Sequence, residues 1–132
     1  MADLFSPLQI GRLELKNRIM MAPMENGMAN IGGMISERLI NFFVERARNN
    51  VAVIMTGSVA VAPEGAGLPA QIAIYDEKFI PGLTRLCDAV HEAGAKIGAQ
   101  IYHGGGQATE AVTGLVPVAA SAFPCSLLNN HP

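Results

Sequence analysis

The sequence predicts an α/β fold of parallel β/α units preceded by a short N-terminal hairpin. Three observations carry that reading. Short, wholly apolar runs alternate with helical patterns, an order that argues for parallel strands covered by helices. The helical segments each keep their apolar residues on one face at the 3.6-residue period. Each apolar run also ends in the same style, in small residues and a few polar ones: MAPMENG, TGSVAVAPEG and QIYHGGGQ.

Taken in order, residues 4–17 (LFSPLQIGRLELKN) read as the hairpin, with Gly11 and Arg12 at its turn. Arg18 to Ala22 (RIMMA) is the first core strand, stopped by Pro23, and a loop rich in Gly and Asn follows over 25–33. Ser36 is a suitable N-cap for a helix through SERLINFFVERARNN. Leu39, Phe43 and Ala47 recur on one of its faces with Ile40 and Val44 beside them, and Asn49 and Asn50 mark its end. Val51 to Met55 is the second strand, and Thr56 to Gly67 reads as a loop. A second helix begins near Asp76, tolerates Pro81 in its first turns, and stops at Gly94. Leu83, Leu86, Cys87, Val90 and Ala93 form its inner stripe, which makes Cys87 a core residue. The third strand lies in KIGAQIYHGGGQ, residues 96–107, which opens as core and ends in Gln100, Tyr102, His103 and three glycines. Right-handed crossovers put the C-terminal ends of all three strands on one edge. In parallel sheets that edge is where ligands bind, and small residues there let a flat ligand approach the backbone.

The totals bound the function. The chain has 132 residues, enough for one ordinary domain, and 50% are hydrophobic against 15% charged. That lean charge points to a large buried fraction or to surface covered by further chain. A net charge of −2 offers no footprint for nucleic acid or an anionic membrane. The most apolar run, residues 51–63, is broken by Thr56, Gly57 and Ser58 and falls short of a membrane span. The N-terminus lacks the pattern of a secretory signal. Cys87 and Cys125 stand alone, as expected of free thiols in a reducing cytoplasm.

Several motifs are absent. From Gly104 the pattern G-x-G-x-x-G fails at Thr109, and no G-x-x-x-x-G-K-[ST] phosphate loop occurs. His91, His103 and His131 lack metal-ligand spacing, and no G-x-S-x-G elbow appears, so neither a metal site nor a hydrolase is expected.

Three blocks then carry a resemblance: LFSPLQIGRLELKNRIMMAPM at 4–24, DEKFIPGLTRLCDAVHEAGAKIGAQIYHGG at 76–105, and VPVAASAFPC at 116–125. In content, order and spacing they resemble the N-terminal third of the old yellow enzyme family, in particular its NADH:flavin oxidoreductase and 2,4-dienoyl-CoA reductase-like branch. The resemblance implies that residues 1–132 are the first part of a TIM (β/α)8 barrel that binds FMN. It further implies reduction of activated C=C bonds with hydride from NAD(P)H. Carried over by position, Ala22, Pro23 and Met24 would pack against the flavin ring. Gly57 or its neighbour Thr56 would touch the ring's polar rim, Glu25 would stand near its reactive nitrogen, and the Gln100 carboxamide would bond its pyrimidine edge. A side-chain amide suits that edge because both present a donor and an acceptor. Asn17 and Arg18 match a structural pair at the barrel's base.

Two positions depart from the family's pattern. Its His-x-Gly-Arg is here His103-Gly104-Gly105-Gly106, without the Arg, and a small polar or thiol position is here Glu25. An ionised carboxylate beside a flavin that gains charge on reduction is unfavourable, so Glu25 is expected to turn away. A closed barrel needs about 250 residues, so the chain is expected to be a truncated piece or one part of a split barrel. The catalytic residues, the phosphate-gripping Arg and any 4Fe–4S cluster are then expected beyond residue 132. The expected partners are a small-molecule substrate and either a further copy of the chain or the remainder of the barrel. Two other readings stand beside the enzyme: a non-catalytic piece that self-associates over exposed strand edges, and a flavin-free phosphate-binding barrel.

Overall fold

The computed structural model describes residues 3–124. Cys125 and His131, both singled out by their chemistry, lie outside them. The hairpin forms as expected: β1 (Leu8–Ile10) and β2 (Leu13–Leu15) pair antiparallel, and Gly11 at the turn adopts φ +58°. The core sheet follows, with β3 (Met20–Met21), β4 (Val53–Ala60), β5 (Ile72–Ala73) and β6 (Lys96–Tyr102). All of its pairings are parallel, and all run through β4. Val53 pairs with both Met20 and Lys96, and Val59 with both Ile72 and Ile101. Hence β3 and β5 share one edge of β4, one beyond the other, and β6 takes the opposite edge.

Two helices cover one face. α1 (Glu37–Arg48) is capped by Ser36, whose Oγ accepts from Leu39 N–H at 3.0 Å and donates to the Met28 carbonyl. α2 (Ile80–Glu92) follows a single 3-10 turn at Glu77–Phe79, which Asp76 caps through Lys78 N–H. The predicted helix start at Asp76 thus belongs to that turn, and Pro81 sits in the first turn of α2 where its missing N–H costs nothing. Leu39, Phe43 and Ala47 of α1 meet Leu86 and Val90 of α2 over Ile54 of β4 and Ala95 before β6. Cys87 lies at the margin of this core, half-buried, and its thiol pKa is pushed up by burial and then by Asp88. Asn17 ties the base together, donating from Nδ2 to the Asn50 carbonyl at 2.7 Å and accepting from Ile19 N–H at 2.9 Å. That places the end of α1 against the start of β3, the structural role expected of it.

Two expectations on the strands need correction. The second strand begins at Val53 and continues through Thr56–Ala60, which had read as loop, because β6 pairs with Ser58–Ala60 and β5 with Val59 and Ala60. β5, two residues long, gave no periodic signal at all. A four-residue helix, α3 (Glu110–Thr113), also forms beyond β6.

Because Ser36 satisfies a helix donor and binds the preceding loop, Ser36→Ala is expected to lower stability by about 1 kcal/mol. A shift in the urea midpoint with an unchanged slope would show this, and an unaltered midpoint would refute it. The exposed Arg85–Glu37 ion pair bridging α2 and α1 is expected to contribute little.

Candidate functional site

The site is built where β4 is irregular. Met55 pairs with Gly98 and Ser58 with Gln100, so Thr56 and Gly57 stand opposite the single residue Ala99. This is a β-bulge, a device that re-aims side chains and recurs beside active sites. Thr56 is buried, donating from Oγ1 to the Gly57 carbonyl at 2.8 Å and accepting from Gln100 N–H at 3.4 Å. The bulge therefore fixes the backbone of Gln100 and leaves its exposed carboxamide without a partner among the described residues.

On the other edge, β3 ends at Met21, and the chain crosses β4 in the gap before β5 begins. The crossing is tight. A Cβ on Gly57 would stand 2.6 Å from the Met24 carbonyl oxygen and 2.8 Å from Glu25 Cα. Ala22, Pro23, Met24 and Glu25 are exposed along this segment. The Glu25 carboxylate turns back onto its own loop and accepts from Asn26 N–H at 3.2 Å and Gly27 N–H at 3.3 Å. The structure thus brings Ala22, Pro23, Met24, Glu25, Gly57 and Gln100 to the level of the bulge, with Gln100 on one side of β4 and the Ala22–Glu25 segment on the other. Gly57 itself lies beneath Met24 and Glu25, so its immediate neighbours are protein backbone.

The loops after β4 and β6 interlock above that level. Gly104 N–H donates to the Gly65 carbonyl at 2.8 Å, and a Cβ on Gly65 would strike the His103 ring at 2.5 Å. His103 Nδ1 accepts from Gly105 N–H at 3.0 Å, and its Nε2 lies 4.0 Å from Glu64 Oε1. In the neutral ring the proton therefore belongs on Nε2. Gly104 makes this packing possible, since a Cβ there would stand 3.1 Å from Ala108 N and 3.2 Å from the Gly65 carbonyl oxygen. Sequence reasoning passed over Gln71, which is buried and holds this loop by accepting from Gly67 N–H at 2.7 Å and Leu68 N–H at 3.3 Å. No periodicity or motif in the segment around it could have pointed to it.

The model of the NADH:flavin oxidoreductase / NADH oxidase family matches residues 3–128. The chain belongs to that family. It is 45% identical over 132 residues to an NADH oxidase of Thermoanaerobacter brockii, covering 98% of this chain and 20% of that protein. To a metal reductase of Desulforamulus reducens it is 42% identical over 132 residues, covering 100% of this chain and again 20% of the relative. Among solved structures, the old yellow enzyme homologue from Zymomonas mobilis superposes with a TM-score of 0.80 at 30% identity, covering 98% of this chain and 37% of that one. The β/α units described above are the N-terminal part of a TIM barrel. The chain spans about a fifth of the length of the two curated relatives.

The residues present suit the flavin that the family's description names. Exposed Ala22, Pro23 and Met24 offer an uncharged surface, and the unpartnered Gln100 carboxamide offers both a donor and an acceptor. No group of three or more His, Cys, Asp or Glu among the described residues could hold a metal ion. No helix among them is long and apolar enough to cross a membrane.

Proposed function

We propose that this chain supplies the first strands of an FMN-dependent, ene-reductase-type oxidoreductase. The substrate would be an activated C=C bond, as in an α,β-unsaturated carbonyl or an enoyl thioester, and NAD(P)H the reductant. When bound, FMN would supply the chemistry of accepting hydride from the nicotinamide and passing it on. The chain's own residues do the positioning. Ala22, Pro23 and Met24 form the platform, Gly57 lets that segment seat on β4, and Gln100 reads the pyrimidine edge. The observation that carries this reading is the bulge at Thr56–Gly57, which presents a free Gln100 carboxamide across β4 from the platform.

The test is anaerobic. The flavin-loaded full-length protein should oxidise NADH or NADPH in step with reduction of 2-cyclohexen-1-one, and FMN should survive desalting. Protein that keeps no FMN, or that leaves the enone untouched, would end the proposal.

Because the Glu25 carboxylate is engaged by Asn26 and Gly27, Glu25→Gln is expected to leave the flavin reduction potential unchanged, since Gln keeps an acceptor for both amides. A marked rise in a spectroelectrochemical titration would mean that the charge does act on the flavin.

A second reading concerns the chain by itself. Ile101 on β6 is 73% exposed and Met20 on β3 is 59% exposed, and β6 pairs only with β4 among the described residues. Such edges favour association with another copy where the rest of a barrel is not supplied.

A further inference from the structure

The loop that leaves the Met24–Glu25 crossing carries a reactive pair that the flavin reading does not use. Asn26 is the only asparagine in the sequence that a glycine follows. The backbone nitrogen of the residue after an asparagine can attack the side-chain carbonyl carbon and close a succinimide ring. A side chain on that residue shields its nitrogen, and glycine has none. Ring closure within one chain also needs no second reactant to be brought up.

The fold sets three groups around this pair. Glu25 Oε1 accepts from Gly27 N–H at 3.3 Å, so a carboxylate stands at the nitrogen that has to lose its proton. Met28 N–H donates to Asn26 Oδ1 at 3.0 Å, so a donor already sits on the oxygen that gains charge when its carbon is attacked. Asn26 Nδ2, the group that has to leave, bonds to no described residue, and Asn26 is only half-buried. Gly27 holds φ +58°, and no atom lies within 4 Å of where a Cβ would stand, so the ring has room to form. A base at the nucleophile and a donor at the developing oxyanion are the groups that speed acyl transfer.

We propose that Asn26–Gly27 is a self-modifying site, at which Glu25 acts as base and Asn26 converts to aspartate and isoaspartate with loss of ammonia. As Gly27 N bonds to Asn26 Cγ, its proton passes to Glu25 and the Oδ1 oxyanion is held by Met28 N–H. The Cγ–Nδ2 bond then breaks, and the amide leaves as ammonia with that proton. Water opens the ring. Attack at Cγ gives aspartate; attack at the Asn26 backbone carbonyl leaves the main chain running through Cγ, as isoaspartate. One water is consumed and one ammonia released, with no change of oxidation state. Both products place a second carboxylate next to Glu25. Isoaspartate also lengthens the main chain by a methylene directly after the crossing that Gly57 seats, which loosens the Ala22–Met24 platform. The site goes beyond the flavin reading, since its chemistry needs no cofactor.

The test holds flavin-loaded full-length protein at neutral pH for weeks. Asn26, Asn30, Asn41 and Asn49 are followed by peptide mass spectrometry and by isoaspartate-specific methyl labelling. Asn26 should convert at least about tenfold faster than the other three. Glu25→Gln keeps an acceptor for both amides but is no base, and should slow the conversion at least about tenfold. Conversion of Asn26 no faster than that of Asn49, or a rate unaltered by Glu25→Gln, would overturn the assignment. Should Glu25→Gln fail to fold, the ranking of the four asparagines in the wild type decides alone. On desalting the aged sample, isoaspartate should be enriched in the flavin-free fraction, and equal amounts in both fractions would overturn the effect on the platform. Protein that keeps no FMN from the outset ends the flavin reading alone, because the mass and label readouts need no flavin.

Discussion

Gly57→Ala is expected to destabilise the protein by about 1–3 kcal/mol and to abolish retention of FMN. The added methyl would meet the Met24 carbonyl oxygen at 2.6 Å, Glu25 Cα at 2.8 Å and Glu25 N at 3.0 Å. All three are backbone atoms, so no rotamer change relieves the overlap. The crossing segment has to lift off β4, and it carries Ala22, Pro23 and Met24 with it. A built-in control separates this from a general intolerance of alanine on the same edge. A Cβ on Gly106 would touch only the Ala119 methyl, at 3.6 Å, which is ordinary contact. Gly106→Ala should therefore stay within about 0.5 kcal/mol of the wild type. Urea denaturation and FMN content after desalting would be measured for both variants. If Gly57→Ala matched Gly106→Ala on both counts, the seating role given to Gly57 would be wrong.

That role shows where sequence reasoning stops. The hairpin was legible because Gly11 sits between two short alternating runs. α1 was legible because Ser36, the Leu39–Phe43–Ala47 stripe and the Asn pair mark its start, its face and its end. These are local signals, each within one turn or one strand of its cause. Thr56–Ala60 looked like loop because Gly57 and Ser58 interrupt the β-branched run, whereas partners distant in sequence decide the matter. Met24, Ile72 and Gln100 are each more than ten residues from this stretch. The edge holding the site was therefore readable from the alternation of elements. The bulge that aims Gln100 was not, since a two-against-one register has no signature in either strand alone. Gln71 was invisible for the same reason, because its burial and its two bonds depend on how the loop after β4 folds over His103 and Tyr102.

Gln100→Ala is expected to uncouple what Gly57→Ala disturbs together. The Gln100 side chain is exposed and bonds to no described residue, while its backbone N–H is already held by Thr56 Oγ1. Alanine keeps that backbone bond, so stability should stay within about 0.5 kcal/mol of the wild type. FMN affinity should fall by about 10- to 100-fold, the net worth of losing one donor and one acceptor to a ring edge. Gln100→Glu divides the effect: it keeps an acceptor, replaces the donor with a carboxylate, and should bind FMN no better than the alanine variant. Fluorescence titration of apoprotein with FMN measures all three affinities. Unchanged affinity in Gln100→Ala would remove Gln100 from the flavin site. A matching loss of stability would show instead that its carboxamide supports the bulge, and that the free amide at the strand end is structural.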